Sequence, residues 1–250
     1  MNALRLLFGT LTILPVRPPT TVSRPVASWA MTLAPLAGGV LALLVAGPWA
    51  LAMEYDGFGQ PLLMGALAVS VLAVLTRAMH LDGLADTADG LGSGRRGDEA
   101  LAIMRKSDIG PFGVVALVLS LLIQVAALAE CGAHAPAALA VALVVSRTVL
   151  PVLCTAWFPA ARADGLGSLV AGSVPPLRAL VSLLVAAALV VGVLVVDDAP
   201  RLGFAALGLL AGVGLALHAR RRFGGLTGDV YGACVEVTFT AALMVAAFAV

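Results

Sequence analysis

The chain has 250 residues, 61% of them hydrophobic and 12% charged, with a formal net charge of +1 and a mean hydropathy of +1.05. A soluble domain carries about a quarter charged residues, so this composition excludes a water-soluble globule and predicts an all-α, polytopic membrane helix bundle. The 15 Lys and Arg balance 14 Asp and Glu, and the longest basic run is Arg220-Arg221-Arg222, which gives no basis for a nucleic-acid partner. Cys131, Cys154 and Cys234 are widely spaced, with no Cys-x-x-Cys pair, against a disulfide framework or a structural zinc.

Residues 1–250 read as a single integral membrane domain in the lipid bilayer. Met1 to Val16 carries Arg5 and Pro15, is too short to cross, and reads as interfacial or re-entrant. No small-residue cleavage site follows it, so no cleaved signal peptide is expected. A bilayer core needs about 20 apolar residues per helix, and seven stretches qualify. They run from Arg24 to Glu54, Pro61 to Arg77, Ile109 to Ala129, Ala135 to Phe158, Ala179 to Val196, Leu202 to Leu217, and Val230 to Val250. The fourth contains Arg147 and the seventh Glu236.

Arginine and lysine alternate between the connections, and positive residues are retained on the cytoplasmic side. Arg5, Arg17 and Arg24 precede the first span. Arg95, Arg96, Arg105 and Lys106 follow the second, Arg162 and Arg178 the fourth, and Arg220 to Arg222 the sixth. The opposite connections hold Glu54, Asp56, Glu130, Asp197 and Asp198, with Arg201 as their one basic residue. About seven transmembrane helices with a cytoplasmic amino terminus follow. The water-facing chemistry is then expected in segments near 80–110, 159–178 and 218–229.

After the second span comes His80-Leu-Asp82-Gly-Leu-Ala-Asp86-Thr-Ala-Asp89-Gly90. On a helix the three carboxylates fall within an arc of roughly 60°, where like charges repel unless compensated. Two readings stay open: a solvated acidic helix start, or ligands for a hard divalent cation, magnesium or manganese. A second group lies at the last span, where Gly224, Gly225, Thr227, Gly228 and Asp229 lead to Glu236 seven residues on. The glycines let backbone approach a ligand, and a helix starting near Asp229 aims its positive end at a phosphate; tight helix packing is the competing reading. Glu236 and Arg147 are expensive within a span unless paired or functional. Arg105 and Lys106 suit an anionic substrate or simply mark topology. His80 is a candidate general base or orienter, or an interfacial histidine.

HLDGLADTADG at 80–90, IMRKSDIGPFG at 103–113, Ser146-Arg147, ARADGLG at 161–167, and GGLTGD at 224–229 with Glu236 closely resemble the cobalamin synthase family, the adenosylcobinamide-GDP ribazoletransferases. The resemblance covers nearly the whole chain in order. One departure is Lys106-Ser107-Asp108, where the family pattern has the two charges exchanged. The resemblance implies a magnesium-dependent enzyme of the bacterial inner membrane, with its active site on the cytoplasmic side. Its substrates would be adenosylcobinamide-GDP and alpha-ribazole or alpha-ribazole 5'-phosphate, with GMP released. Other cobalamin-assembly enzymes are candidate partners.

On that reading His80, Asp82 and Asp86 are catalytic, and Asp82, Asp86, Asp89, Asp229 and Glu236 are the metal-ligand candidates. Arg105, Arg147, Gly225, Thr227 and Gly228 would engage substrate. A CDP-alcohol phosphotransferase is the nearest alternative enzyme, but here Asp82-Gly83 is followed by Ala85-Asp86 rather than Ala-Arg. An ion-coupled transporter would instead use Arg147 and Glu236 as a midplane charge pathway.

Overall fold

The computed structural model describes residues 1–54 and 60–250, so Asp56 lies outside the described residues. Twelve α-helices account for most of these: α1 (Asn2–Leu11), α2 (Arg24–Thr32), α3 (Ala34–Met53), α4 (Pro61–Leu75), α5 (Met79–Gly92), α6 (Gly97–Ile103), α7 (Pro111–Glu130), α8 (Ala135–Leu153), α9 (Gly165–Val170), α10 (Pro176–Asp197), α11 (Gly208–Phe223) and α12 (Gly228–Ala249). No β-strand occurs among the described residues, and the all-α expectation holds. Pro25, Pro35, Pro61, Pro111, Pro136 and Pro176 each sit in the first turn of a helix. A missing N–H costs nothing there, because those amides have no intrahelical acceptor.

Among the described residues six helices are long and apolar enough to cross a bilayer, and a seventh span counts if α4 and α5 form one bent span. Several boundaries differ from those expected. The charge-free stretch from Arg24 to Glu54 is two helices, α2 and α3, broken at Leu33 ahead of Pro35. The fourth span ends at Leu153 rather than Phe158, because residues 154–158 turn on bonds from Thr155 N to Val152 O and from Phe158 N to Thr155 O. The sixth extends to Phe223, so the triple arginine forms the last helical turn of α11, where its charge complements the helix dipole.

Helix α8 occupies the centre. Its span is 94% buried, against 22% for those of α7 and α10, which face outward. Around it lie α3, α10, α11 and α12, and the apolar core runs along it from Ala135 to Leu153.

The second span is α4, whose 15 residues rise about 22 Å at 1.5 Å each. The chain then turns by 90° into α5. Arg77 and Ala78 make the turn in the left-handed region, with φ of 54° and 52°. The end of α1 braces it: Arg77 Nη2 donates to Gly9 O at 2.7 Å, and Ile13 N to Leu75 O at 2.6 Å. As a result α5 lies across the start of α7, the end of α11 and the start of α12, where Gly92 meets Phe112, Gly90 meets Phe223 and Gly83 meets Asp229.

The basic residues gather at that same end. Arg24 bonds the Ala171 carbonyl at 2.6 Å, Arg162 that of Leu101 at 2.8 Å and Arg222 that of Arg95 at 2.8 Å. Arg178 stacks over the Trp29 ring at 4.2 Å. At the far end His134 Nδ1 meets Asp197 Oδ2 at 2.7 Å, tying α8 to α10.

Candidate active site

The contact of α5 with α12 depends on a missing side chain. A Cβ on Gly83 would lie 2.5 Å from the Asp229 carbonyl oxygen, so only glycine lets the two backbones touch. This brings the exposed Asp82 and the half-buried Asp86 to the start of α12, where Asp229 lies. Thr227 begins that helix: its Oγ1 accepts from Val230 N at 3.3 Å and lies 3.2 Å from Asp229 Oδ2. Thr227 is therefore an N-cap that also fixes the carboxylate.

Burial, and then the charges of Asp82, Asp229 and Asp89, push the Asp86 carboxyl up to about 6, with Arg162 pulling the other way. Such mutual repulsion signals an under-compensated acidic cluster. Its hard oxygen donors suit magnesium or manganese, and magnesium is commonly bound through one or two carboxylates plus substrate phosphates. No three His, Cys, Asp or Glu side chains converge on one cation position among the described residues. A metal held jointly by protein and substrate fits this geometry better than an all-protein cage.

Asp89 departs from its expected place. Its side chain turns to α7, where Oδ2 accepts from Gly110 N at 2.7 Å and Oδ1 from Gly113 N at 2.9 Å. It caps a neighbouring helix, because the first amides of α7 lack partners of their own.

Glu236 and Arg147 are also not brought to the cluster. Both line a separate cavity of about 20 Å³, with Gln124 and His80. Gln124 Nε2 donates to Glu236 Oε1 at 2.6 Å and to Thr240 Oγ1 at 2.9 Å, while Arg147 Nη1 donates to Ser146 Oγ at 2.9 Å. His80 Nε2 and Arg147 Nε are buried without a hydrogen-bond partner among the described residues. His80 also borders the cavity that holds Asp82 and Asp229, so it stands between the buried polar group and the acids.

The glycine-rich turn divides in role. A Cβ on Gly225 would lie 2.6 Å from the backbone of Pro159, Ala160 and Ala161, so this glycine serves chain packing. There Leu226 N donates to Pro159 O at 2.8 Å and Ala161 N to Leu226 O at 3.0 Å. Gly228 is exposed with open space beside it, and Thr227, Gly228 and Asp229 border a cavity with Arg162 and Asp164. Arg105 is exposed and stands 3.9 Å from Asp164 on a neighbouring cavity. Lys106 and Asp108 are both exposed and make no ion pair with each other.

Two residues gain importance only here. Arg162, read from sequence as a topology marker, borders both polar cavities, and its Nε is buried without a hydrogen-bond partner among the described residues. Gln124 is the buried partner of Glu236, and its signal was a lone amide within the otherwise apolar third span.

Residues 3–247 match the family model described as cobalamin-5-phosphate synthase. The chain is 44% identical to an adenosylcobinamide-GDP ribazoletransferase of Nocardioides sp., over 97% of each chain. A protein of the same name from Frankia casuarinae is 42% identical over 98% of this chain and 94% of its own. One from Bradyrhizobium diazoefficiens is 40% identical over 98% and 92%. No solved structure matches. With a family model and these relatives both spanning nearly its full length, the chain belongs to the cobalamin-5-phosphate synthase family.

Proposed function

We propose that this protein transfers the adenosylcobinamide phosphate group from adenosylcobinamide-GDP to alpha-ribazole or its 5'-phosphate, releasing GMP, with magnesium, at the cytoplasmic face of the bacterial inner membrane. The observation that carries the reading is an acidic cluster, built by α5 and the start of α12, in a chain whose full-length relatives bear that activity's name. The cytoplasmic assignment rests on the basic residues gathered at the end where the cluster sits.

In the step itself, a ribose hydroxyl oxygen of the acceptor forms a bond to the phosphorus attached to cobinamide. The bond from that phosphorus to the oxygen bridging it to GMP breaks, and GMP leaves with the electron pair. Such transfers need positioning and charge neutralisation rather than a nucleophilic side chain. Asp82 and Asp229 would hold magnesium, and the bound ion supplies neutralisation of the diphosphate and of the departing phosphate. Asp86, half-buried beside them on α5, accepts the hydroxyl proton. The Gly228 amide, at the first turn of α12, and Arg105, on the polar side, engage the anionic donor.

The test is GMP release by purified protein given adenosylcobinamide-GDP and alpha-ribazole 5'-phosphate. Release is expected to require the acceptor and magnesium, and Asp82→Ala to reduce it by about a hundredfold or more. A folded wild-type protein that releases no GMP would point to the transporter reading, and release of CMP from a CDP-alcohol to the other phosphotransferase.

A further inference from the structure

Two cavities of opposite character flank Asp229. The first, of about 260 Å³, lies between α1, α2, α5, α8, α9 and α12. Leu11, Met31, Leu150 and Val170 form its apolar wall, and Asp82 and Asp229 are its charged residues. The second, of about 210 Å³, is bordered by Arg162, Asp164, Ser168 and Thr227. Leu166, Gly167, Gly228 and Asp229 line both and so form the wall between them. In that wall the two backbones are in close contact: a Cβ on Gly167 would lie 2.8 Å from Gly228 N.

In-line displacement at phosphorus places the attacking and leaving oxygens on opposite sides of the reacting centre. Both cavities border one carboxylate, Asp229, and their polarity sorts the substrates around it. The leaving half is an anionic nucleotide, which suits the polar cavity bordered by Arg162, Ser168 and Thr227, where a divalent cation would offset Asp164 and Asp229. The acceptor is a riboside whose base is bicyclic, methylated and poor in hydrogen-bonding groups, and burying such a base in a polar cavity would strand that cavity's polar groups. A volume of about 260 Å³ falls below the roughly 300–1,000 Å³ of pockets that enclose whole ligands, which matches a base whose sugar lies at the acidic edge.

We propose that the apolar cavity between α1, α2, α5, α8, α9 and α12 is the acceptor-base subsite, selecting ribosides of an apolar bicyclic base while Asp82 and Asp229 meet the sugar. The inference rests on the transferase reading and adds to it which face of the acidic cluster the acceptor uses. Met31 is the residue to vary, since it lines the cavity from α2, is 7% exposed and carries no charge.

The experiment compares wild type, Met31→Trp and Met31→Ala in GMP release, using the α-riboside 5'-phosphates of 5,6-dimethylbenzimidazole, benzimidazole and adenine. One methylene in a hydrophobic pocket is worth about tenfold or more in discrimination. The narrowed Met31→Trp cavity is therefore expected to cut kcat/KM for the dimethylated base at least about tenfold relative to benzimidazole. Met31→Ala is expected to weaken wild-type preference for the dimethylated base, and KM for adenosylcobinamide-GDP should stay within about twofold in both. Wild type should prefer either benzimidazole to adenine, whose ring polar atoms would be left unpaired.

Met31→Ala keeps the test open if the tryptophan variant does not fold. Unchanged selectivity among the bases in the folded variants, or a rise in donor KM instead, would overturn the subsite. Absence of acceptor-dependent GMP release from wild type would overturn the transferase reading itself, so the two failures are distinguishable.

Discussion

Asp89 accepts two backbone hydrogen bonds from the first turn of α7, one from Gly110 and one from Gly113. Its carboxylate completes a helix start and holds α5 against α7. Asp89→Ala would strand two amides, each costing about 1–3 kcal/mol when buried. Chemical denaturation in detergent should show a loss of about 2–6 kcal/mol on that account. The magnesium concentration that half-saturates GMP release should stay within about threefold in the folded fraction, whereas a metal ligand would shift it by about 10- to 100-fold. Asp86, one turn earlier on the same helix, feels three neighbouring carboxylates and a single opposing arginine. The sequence spacing put all three aspartates on one helical face. It could not say that the third of them meets the amides of a helix 21 residues away, because that depends on how α5 lies across α7.

At the scale of elements, the bend after α4 decides where the chemistry stands. Hydropathy found the span but ran it to Arg77; the structure ends it at Leu75 and turns the chain by 90°. Had α4 continued straight, the acidic motif would have projected away from α12 instead of crossing its first turn. The turn rests on two non-glycine residues at positive φ, Arg77 and Ala78, at about 1–2 kcal/mol each. Ala78→Gly should relieve part of this cost and raise stability by up to about 1 kcal/mol, read as a higher unfolding midpoint in detergent, with GMP release retained. The loss of Arg77's bond to Gly9 would act in the opposite direction, because it frees the end of α1 from the bend.

For the whole molecule, the end carrying α5 also carries the arginines that cap carbonyls of neighbouring segments, and it is predicted to be cytoplasmic. The three native cysteines are buried, so single introduced cysteines can report sidedness without background. A membrane-impermeant maleimide should label Ala133→Cys in intact spheroplasts, and Arg96→Cys only after the membrane is opened; both positions are exposed and lie at opposite ends of the bundle. The reverse pattern would place the acidic cluster outside.

The sequence by itself determined the membrane class, the six or seven apolar helices and the acidic stretch from Asp82 to Asp89, because hydropathy, charge and short-range spacing are local properties written residue by residue. It also carried the family, since HLDGLADTADG and GGLTGD stand in the chain as they are read. Only the tertiary structure decided which of these side chains meet. Asp82, Asp86 and Asp229 come together because Gly83 lets α5 touch α12. Glu236 and Arg147 withdraw into a separate small cavity with Gln124, and Arg162 moves from a topology marker to the border of the acidic cluster. The physical reason is that a helix's face is fixed by its period, but its neighbours are fixed by crossings between distant segments, and those depend on close backbone approach, bends and caps.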